Sequence, residues 1–309
     1  VSCACQNQYD TPFMDVFAPY QETARRVISR ELCDTMKFEN FWVCQEDVNR
    51  LRAVWFDYAD KYFNLMSNLK FMPATPVLIN AGKSDMLSSC FFLRVEDSLE
   101  DIFDKMKKAA LIMKAGGGVG FDLSPIRPEG SNVSSSGRAG STGPVSYLKI
   151  FNSMGDQINQ ASVRKSAMIA SLSVDHPDIE KFIECKKTEG DIANFNLSVR
   201  VTDEFMNAVV QDNDFELRHP RSSVVKTIKA RLLWHKIVEN AHDKGDPGII
   251  FSDRLKEADI FNGKLGDLGT NPCGEILLYN YGSCNLSCIN LSEFVQGGEF
   301  DYDGFVDTV

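Results

Sequence analysis

Between Ser88 and Phe251 the chain alternates short apolar runs with longer stretches whose apolar residues fall three and four apart. No other feature narrows the choice of fold as much. Ser88-Ser89-Cys90-Phe91-Phe92-Leu93, Ala167 to Val174, Leu197-Ser198-Val199-Arg200-Val201 and Gly248-Ile249-Ile250-Phe251 read as strands. The segments between them read as helices. One is capped by Asp97 or Ser98 and sets Ile102, Met106 and Ala109 on one face; a second runs from Val145 to Gln160. A third starts at Asp175 or His176 with Pro177 in its first turn, and a fourth spans Leu232 to Asn240. Strands separated by helices need crossover connections, so a largely parallel α/β sheet is expected. Ahead of it, residues 1–70 carry helical spacing, with no proline from Gln21 to Met72, and read as a helical packing domain. Phe71-Met72-Pro73-Ala74-Thr75-Pro76 is then a proline-bracketed turn leading into Val77-Leu78-Ile79-Asn80, expected as a short strand.

Composition removes several function classes. A net charge of −10 argues against a general nucleic-acid or anionic-membrane binder, so any anionic ligand needs a local basic pocket. No run reaches the roughly 18 apolar residues of a membrane span, and no signal pattern opens the chain, so a cytoplasmic location is expected. Nine cysteines, an odd number without paired short spacing, suit free thiols in a reducing compartment, a catalytic dithiol being the permitted exception. Cys3 and Cys5 lack further ligands, and the chain has no Cys-x-x-Cys, so no metal site is expected.

Two glycine-containing stretches fail the phosphate-loop tests. Gly82-Lys83-Ser84 would need a glycine where Val77 stands, and Lys114-Ala115-Gly116-Gly117-Gly118-Val119-Gly120-Phe121 has Phe121 in place of the third glycine of Gly-x-Gly-x-x-Gly. The second stretch still lets backbone approach a ligand closely. His176 is read as a capping or packing group.

The chemistry concentrates in Asn271-Pro272-Cys273-Gly274-Glu275, followed by Tyr281-Gly282-Ser283-Cys284-Asn285-Leu286. An amide, a thiol and a carboxylate at alternate positions project the same way from an extended or looped segment. Pro272 stiffens the approach to the thiol and Gly274 lets the chain bend after it, as a tight loop pushed into a cavity requires. These motifs, and their order from about Phe71 to Leu291, resemble the catalytic subunit of ribonucleotide reductase, most closely its adenosylcobalamin-dependent class.

That resemblance implies an N-terminal helical domain (1–70) followed by the first part of a ten-stranded α/β barrel (71–309) with a central finger loop. The run up to Val309 carries no turn signal and reads as an excerpt of a longer chain. The resemblance makes Cys273 the thiyl residue, Glu275 the proton acceptor, Asn271 a group that orients the sugar, and Cys90 with Cys284 the reductant pair. Cys288, four residues further on, competes for the last role, and the motif favours Cys284. Thr75, Ser89, Ala115 and Gly116 match substrate-pocket positions. Asp97, Ser98 and Arg127 match the allosteric specificity site, with Ser134 to Pro144 as loop one. Cys185 to Asn196, including Lys187, match loop two, which passes between effector and substrate.

Implied partners are ribonucleoside di- or triphosphates, dNTP or ATP effectors, a thioredoxin-like or other dithiol reductant and a second copy in a homodimer, with no membrane and no direct nucleic-acid contact. Alternatives are a large subunit that takes its radical from a separate metal-containing subunit, an inactive nucleotide-binding relative, and another thiyl-radical enzyme of this barrel superfamily.

Overall fold

The computed structural model describes residues 45–82, 86–133, 140–161, 167–187, 192–221 and 224–309. Side chains of 45–52, 55 and 159–161 are not described. Cys3, Cys5, the helical pattern around residues 24–30, Lys83, Ser84, residues 134–139 of loop one and 188–191 of loop two lie outside the described residues. Two compact units result, Ser88–Cys284 in one and the residues up to Leu87 with Asn285–Val309 in the other.

The larger unit is built on a curled six-stranded sheet, an α/β half-barrel. Its strands are β2 (Cys90–Arg94), β3 (Gly118–Asp122), β4 (Met168–Ser173), β5 (Phe195–Val201), β8 (Gly248–Phe251) and β11 (Ser283–Cys284). The order is β11-β2-β3-β4-β5-β8; the five from β2 to β8 are parallel and β11 lies antiparallel on the β2 edge. Every residue of β3 and nearly every residue of β4 is buried, as expected of strands covered on both faces.

The crossovers are helical. Ser98 caps α3 (Leu99–Lys114) by accepting from Asp101 N at 3.1 Å, and Ile102, Lys105, Ala109 and Met113 form its buried stripe. α4 (Gly143–Ala161) brings Phe151 edge-on to Phe121 at 4.9 Å between ring centres, and Phe121 also meets Phe195, so β3 and β5, on either side of β4, share one aromatic core. α5 (Ile179–Glu184), α6 (Asp203–Gln211) and α7 (Ala230–Lys244) complete the connections, with α8 (Ser252–Ala258) after β8.

Two expectations are corrected here. Val77-Leu78-Ile79-Asn80 is helical, the end of α2 (Thr75–Asn80): Pro76 falls in the first turn, where its fixed φ suits a helix and its missing N–H costs nothing. The strand is instead β1 (Phe71–Pro73). The helix expected from Asp175 or His176 begins at Ile179, because residues 175–178 form a turn in which His176 Nδ1 accepts from Asp178 N at 3.0 Å. A third element was not anticipated: β6 (Asp214–Arg218) and β7 (Val224–Lys229) form an antiparallel hairpin apart from the main sheet.

In the smaller unit α1 (Gln45–Ser67) precedes β1, which pairs antiparallel with β12 (Ser287–Ile289). A 3-10 turn (Leu291–Phe294), the hairpin β13–β14 (Val295–Gln296, Glu299–Phe300) and α9 (Tyr302–Thr308) follow, gathered by Phe294 against Phe300 and Phe305. No described helix is long and apolar enough to cross a membrane.

Candidate active site

The finger is a hairpin. β9 (Gly269–Thr270) and β10 (Leu277–Leu278) pair with Thr270 opposite Leu277, and residues 271–276 form the tip. Fully buried Asn271 closes it: its side-chain oxygen accepts from Ile276 N at 3.1 Å, and its Nδ2 donates to Glu275 Oε1 at 2.8 Å. Gly274 takes φ +82°, the left-handed turn that lets Cys273 and Glu275 stand out from the tip. Asn196 at the start of β5 donates to the Pro272 carbonyl at 3.0 Å and ties the tip to the sheet.

The glycine-dense stretch serves this finger. A Cβ on Gly120 would lie 1.9 Å from the Thr270 carbonyl oxygen, and one on Gly118 would lie 2.7 Å from Pro272 Cγ. The backbone that these glycines admit at close range is the chain's own.

The finger returns through β11, where Cys284 stands directly opposite Cys90 in the antiparallel ladder. Directly opposed residues have Cβ atoms about 5 Å apart, within reach of a disulfide after a small adjustment. Both thiols are free and buried, in a small apolar cluster with Phe92 and Leu278. Burial, then a hydrogen bond with Cys90, pushes the Cys284 thiol up to about 12. Cys273 is exposed at the tip, yet the protein around its sulfur raises its pKa, with lesser contributions from the charges of Glu275 and Cys90. The tip, tied to the start of β5 by Asn196 and packed on Gly118 at the start of β3, thus stands at the same end of the sheet as Cys90 and Cys284. Cys288 stands opposite Met72 in the β1–β12 pair, so the cross-strand partner of Cys90 is Cys284.

Ser89 precedes Cys90, and its Oγ is buried without a hydrogen-bond partner among the described residues. Its carbonyl accepts from Gly118 N at 2.8 Å, which sets the Ala115–Gly116 turn at the same end of the sheet. Thr75 opens α2 in the other unit.

Asp97 and Arg127 come together. Arg127 Nε donates to both oxygens of the buried Asp97 carboxylate, at 3.0 and 2.8 Å, and Ser98 lies beside them as the α3 cap. They follow the C-terminal ends of β2 and β3, opposite the end that carries Cys90. Lys187 is not brought to them. It pairs with Glu184 at 2.8 Å, and its neighbour Lys186 binds the Phe195 carbonyl at the start of β5, so Lys187 belongs to the Cys90 end. Arg221, on the β6–β7 turn, was missed: its Nη2 meets Asp97 Oδ2 at 3.0 Å. The alternation of Phe215 and Leu217 before His219-Pro220 could have flagged the hairpin, but nothing local flagged its partner. Among the described residues no group of His, Cys, Asp and Glu is placed to hold a metal ion.

An α/β half-barrel carrying a cysteine-tipped finger and a cross-strand pair of free cysteines defines a class of barrel proteins with thiols gathered at one end of the sheet. The chain belongs to the ribonucleotide reductase family: the model of the family's barrel domain matches residues 88–309 and that of its all-alpha domain residues 20–85. It is similar to the vitamin B12-dependent ribonucleoside-diphosphate reductase of Thermoplasma acidophilum, with 43% identity over 257 residues, 82% of this chain and 33% of that protein. The enzyme of the same description from Mycobacterium tuberculosis is 39% identical over 249 residues, 80% of this chain and 36% of that one. The ribonucleoside-diphosphate reductase large subunit of variola virus is 32% identical over 291 residues, covering 82% and 37%. The chain thus spans about a third of the length of the curated relatives it matches.

Proposed function

We propose that this chain is part of a ribonucleotide reductase catalytic subunit, its helical domain (1–70) and the first part of its barrel (71–309), acting on ribonucleoside diphosphates. The convergence of Cys273, Glu275, Cys90 and Cys284 at one end of the sheet carries this reading. As a thiyl radical, Cys273 takes the 3′-hydrogen of the ribose. Glu275, its carboxylate held by Asn271, accepts the 3′-hydroxyl proton, and the 2′-hydroxyl leaves as water. Cys90 and Cys284 supply two electrons and two protons and end as a disulfide, while Cys273 returns its hydrogen to C3′. A thioredoxin-like or other dithiol then resets the pair.

Adenosylcobalamin, when bound, supplies the radical chemistry that these side chains lack. The exposed Cys273 thiol fits that need, since its hydrogen can be reached from outside the finger. Ser89, whose buried hydroxyl has no partner among the described residues, and the Ala115–Gly116 turn belong to the sugar pocket. Asp97, Ser98 and Arg127 serve dNTP or ATP effectors, and two copies form the working dimer.

The test is anaerobic reduction of ribonucleoside diphosphates by the full-length protein with a dithiol and adenosylcobalamin as sole additions. Deoxynucleotide formation that disappears in Cys273→Ser, with effector binding retained, is the expected result. Product only on adding a radical-generating subunit would replace the cofactor and keep the reaction. Turnover by Cys273→Ser would refute the thiyl assignment.

A further inference from the structure

We propose that Arg221, on the β6–β7 hairpin, is a phosphate ligand of the effector site. This rests on the reading that Asp97 and Arg127 bind effector nucleotides.

The argument begins with charge. The Asp97 carboxylate, 7% exposed, accepts from Arg127 Nε and backbone N and stands 3.0 Å from Arg221 Nη2, which also donates to the Asp97 carbonyl at 3.0 Å. One negative charge thus faces two guanidiniums, and one positive charge is left over in a place open to water. A purely structural tie needs one arginine, which Arg127 already supplies with two bonds to the carboxylate. A surplus cation beside a satisfied carboxylate is what a polyanion would select.

Donor capacity points to the same residue. Arg127 spends Nη1 on the Asn132 carbonyl at 2.8 Å, whereas Nε and Nη1 of Arg221 have no partner among the described residues. Its side chain is 57% exposed and only Nη2 is engaged by Asp97, so Nε and Nη1 remain as donors open to solvent, each able to make a charge-assisted bond to a phosphate oxygen.

The hairpin is held independently of this contact. Arg218 N donates to the Asp175 carbonyl, Lys226 pairs with Glu180 at 2.6 Å and Lys229 with Asp214 at 2.8 Å. Arg221 is therefore presented from an anchored element, and its truncation leaves the hairpin's other ties in place.

The experiment compares binding of dTTP and of unphosphorylated thymidine to the full-length protein, in wild type, Arg221→Ala, Arg221→Lys and Asp97→Ala. Loss of a charge-assisted phosphate contact should weaken dTTP binding by about 10- to 100-fold in Arg221→Ala. Thymidine affinity should change by less than about twofold, and Arg221→Lys should recover part of the loss. Equal loss of dTTP and thymidine binding in Arg221→Ala would make Arg221 a structural tie and overturn the proposal. Wild-type dTTP binding in Arg221→Ala, with loss in Asp97→Ala, would overturn it and leave the effector site standing. Wild-type binding in both variants would remove the effector site itself.

Discussion

Gly120→Ala is the most searching test of how the finger is placed. The added methyl would lie 1.9 Å from the Thr270 carbonyl oxygen and 3.1 Å from Ile169 Cγ2. Thr270 sits at the base of the finger, one residue before Asn271, so its backbone would have to retreat by about 1.5 Å to regain ordinary contact. Overpacking of this kind costs about 1–3 kcal/mol, which should lower Tm by a few degrees without unfolding the half-barrel. The functional cost should be larger. Misplacement of a reacting group by about 1 Å costs on the order of 100-fold in rate, so turnover should fall by about two orders of magnitude or more. The control is Gly130→Ala, at φ +82° with nothing within 4 Å of the new methyl, which carries backbone strain alone of about 1–2 kcal/mol. Thermal denaturation and turnover, measured side by side on the full-length protein, separate the two. If Gly120→Ala turned over as well as Gly130→Ala, close packing against β3 would not be what positions Cys273.

Other groups give independent checks. Burial pushes the Cys284 thiol well above the usual thiol range, so at about pH 8 iodoacetamide should label exposed Cys288 and spare Cys284; comparable labelling in peptide mass spectra would contradict its burial. Asn271→Ala leaves Ile276 N and the Glu275 carboxylate without their partner, and should cost about 1–3 kcal/mol in denaturant titrations; an unchanged midpoint would mean the tip closes without it. His176 is buried, with its Nε2–H donating to the Ile126 carbonyl at 2.8 Å, and burial holds its pKa below the ordinary value. The unfolded chain then takes up that proton first, so the contribution is complete above about pH 7 and is lost as pH falls from about 6.5 towards the folded value. His176→Gln should flatten that part of the stability curve, and an unaltered slope would locate the titrating group elsewhere.

Much of the half-barrel was legible because its signals are local. Apolar runs such as Met168 to Leu172 have one good use, a strand buried on both faces, and the Ser98 cap announced α3. Val77 to Asn80 misled because four apolar or amide residues suit a strand or a helical turn equally, and Pro76 decided between them. The cysteine roles came from resemblance, while the ladder register supplied what spacing could not: Cys284 and not Cys288 opposite Cys90. The glycines of β3 read as room for a ligand, and what they admit at Gly118 and Gly120 is the chain's own finger. Arg221 was invisible, since 124 residues separate it from Asp97 and only the folded hairpin joins them.

The place of Cys284 on a two-residue edge strand has a thermodynamic corollary. A bond between Cys90 and Cys284 closes a loop on the order of 200 residues, enough in chain-entropy terms to destabilise the unfolded state by about 5 kcal/mol. Each turnover would therefore leave the protein harder to unfold than it began, and the reductant that resets the pair must work against that gain. Melting temperature would then serve as a gauge of oxidation state, readable without following substrate at all.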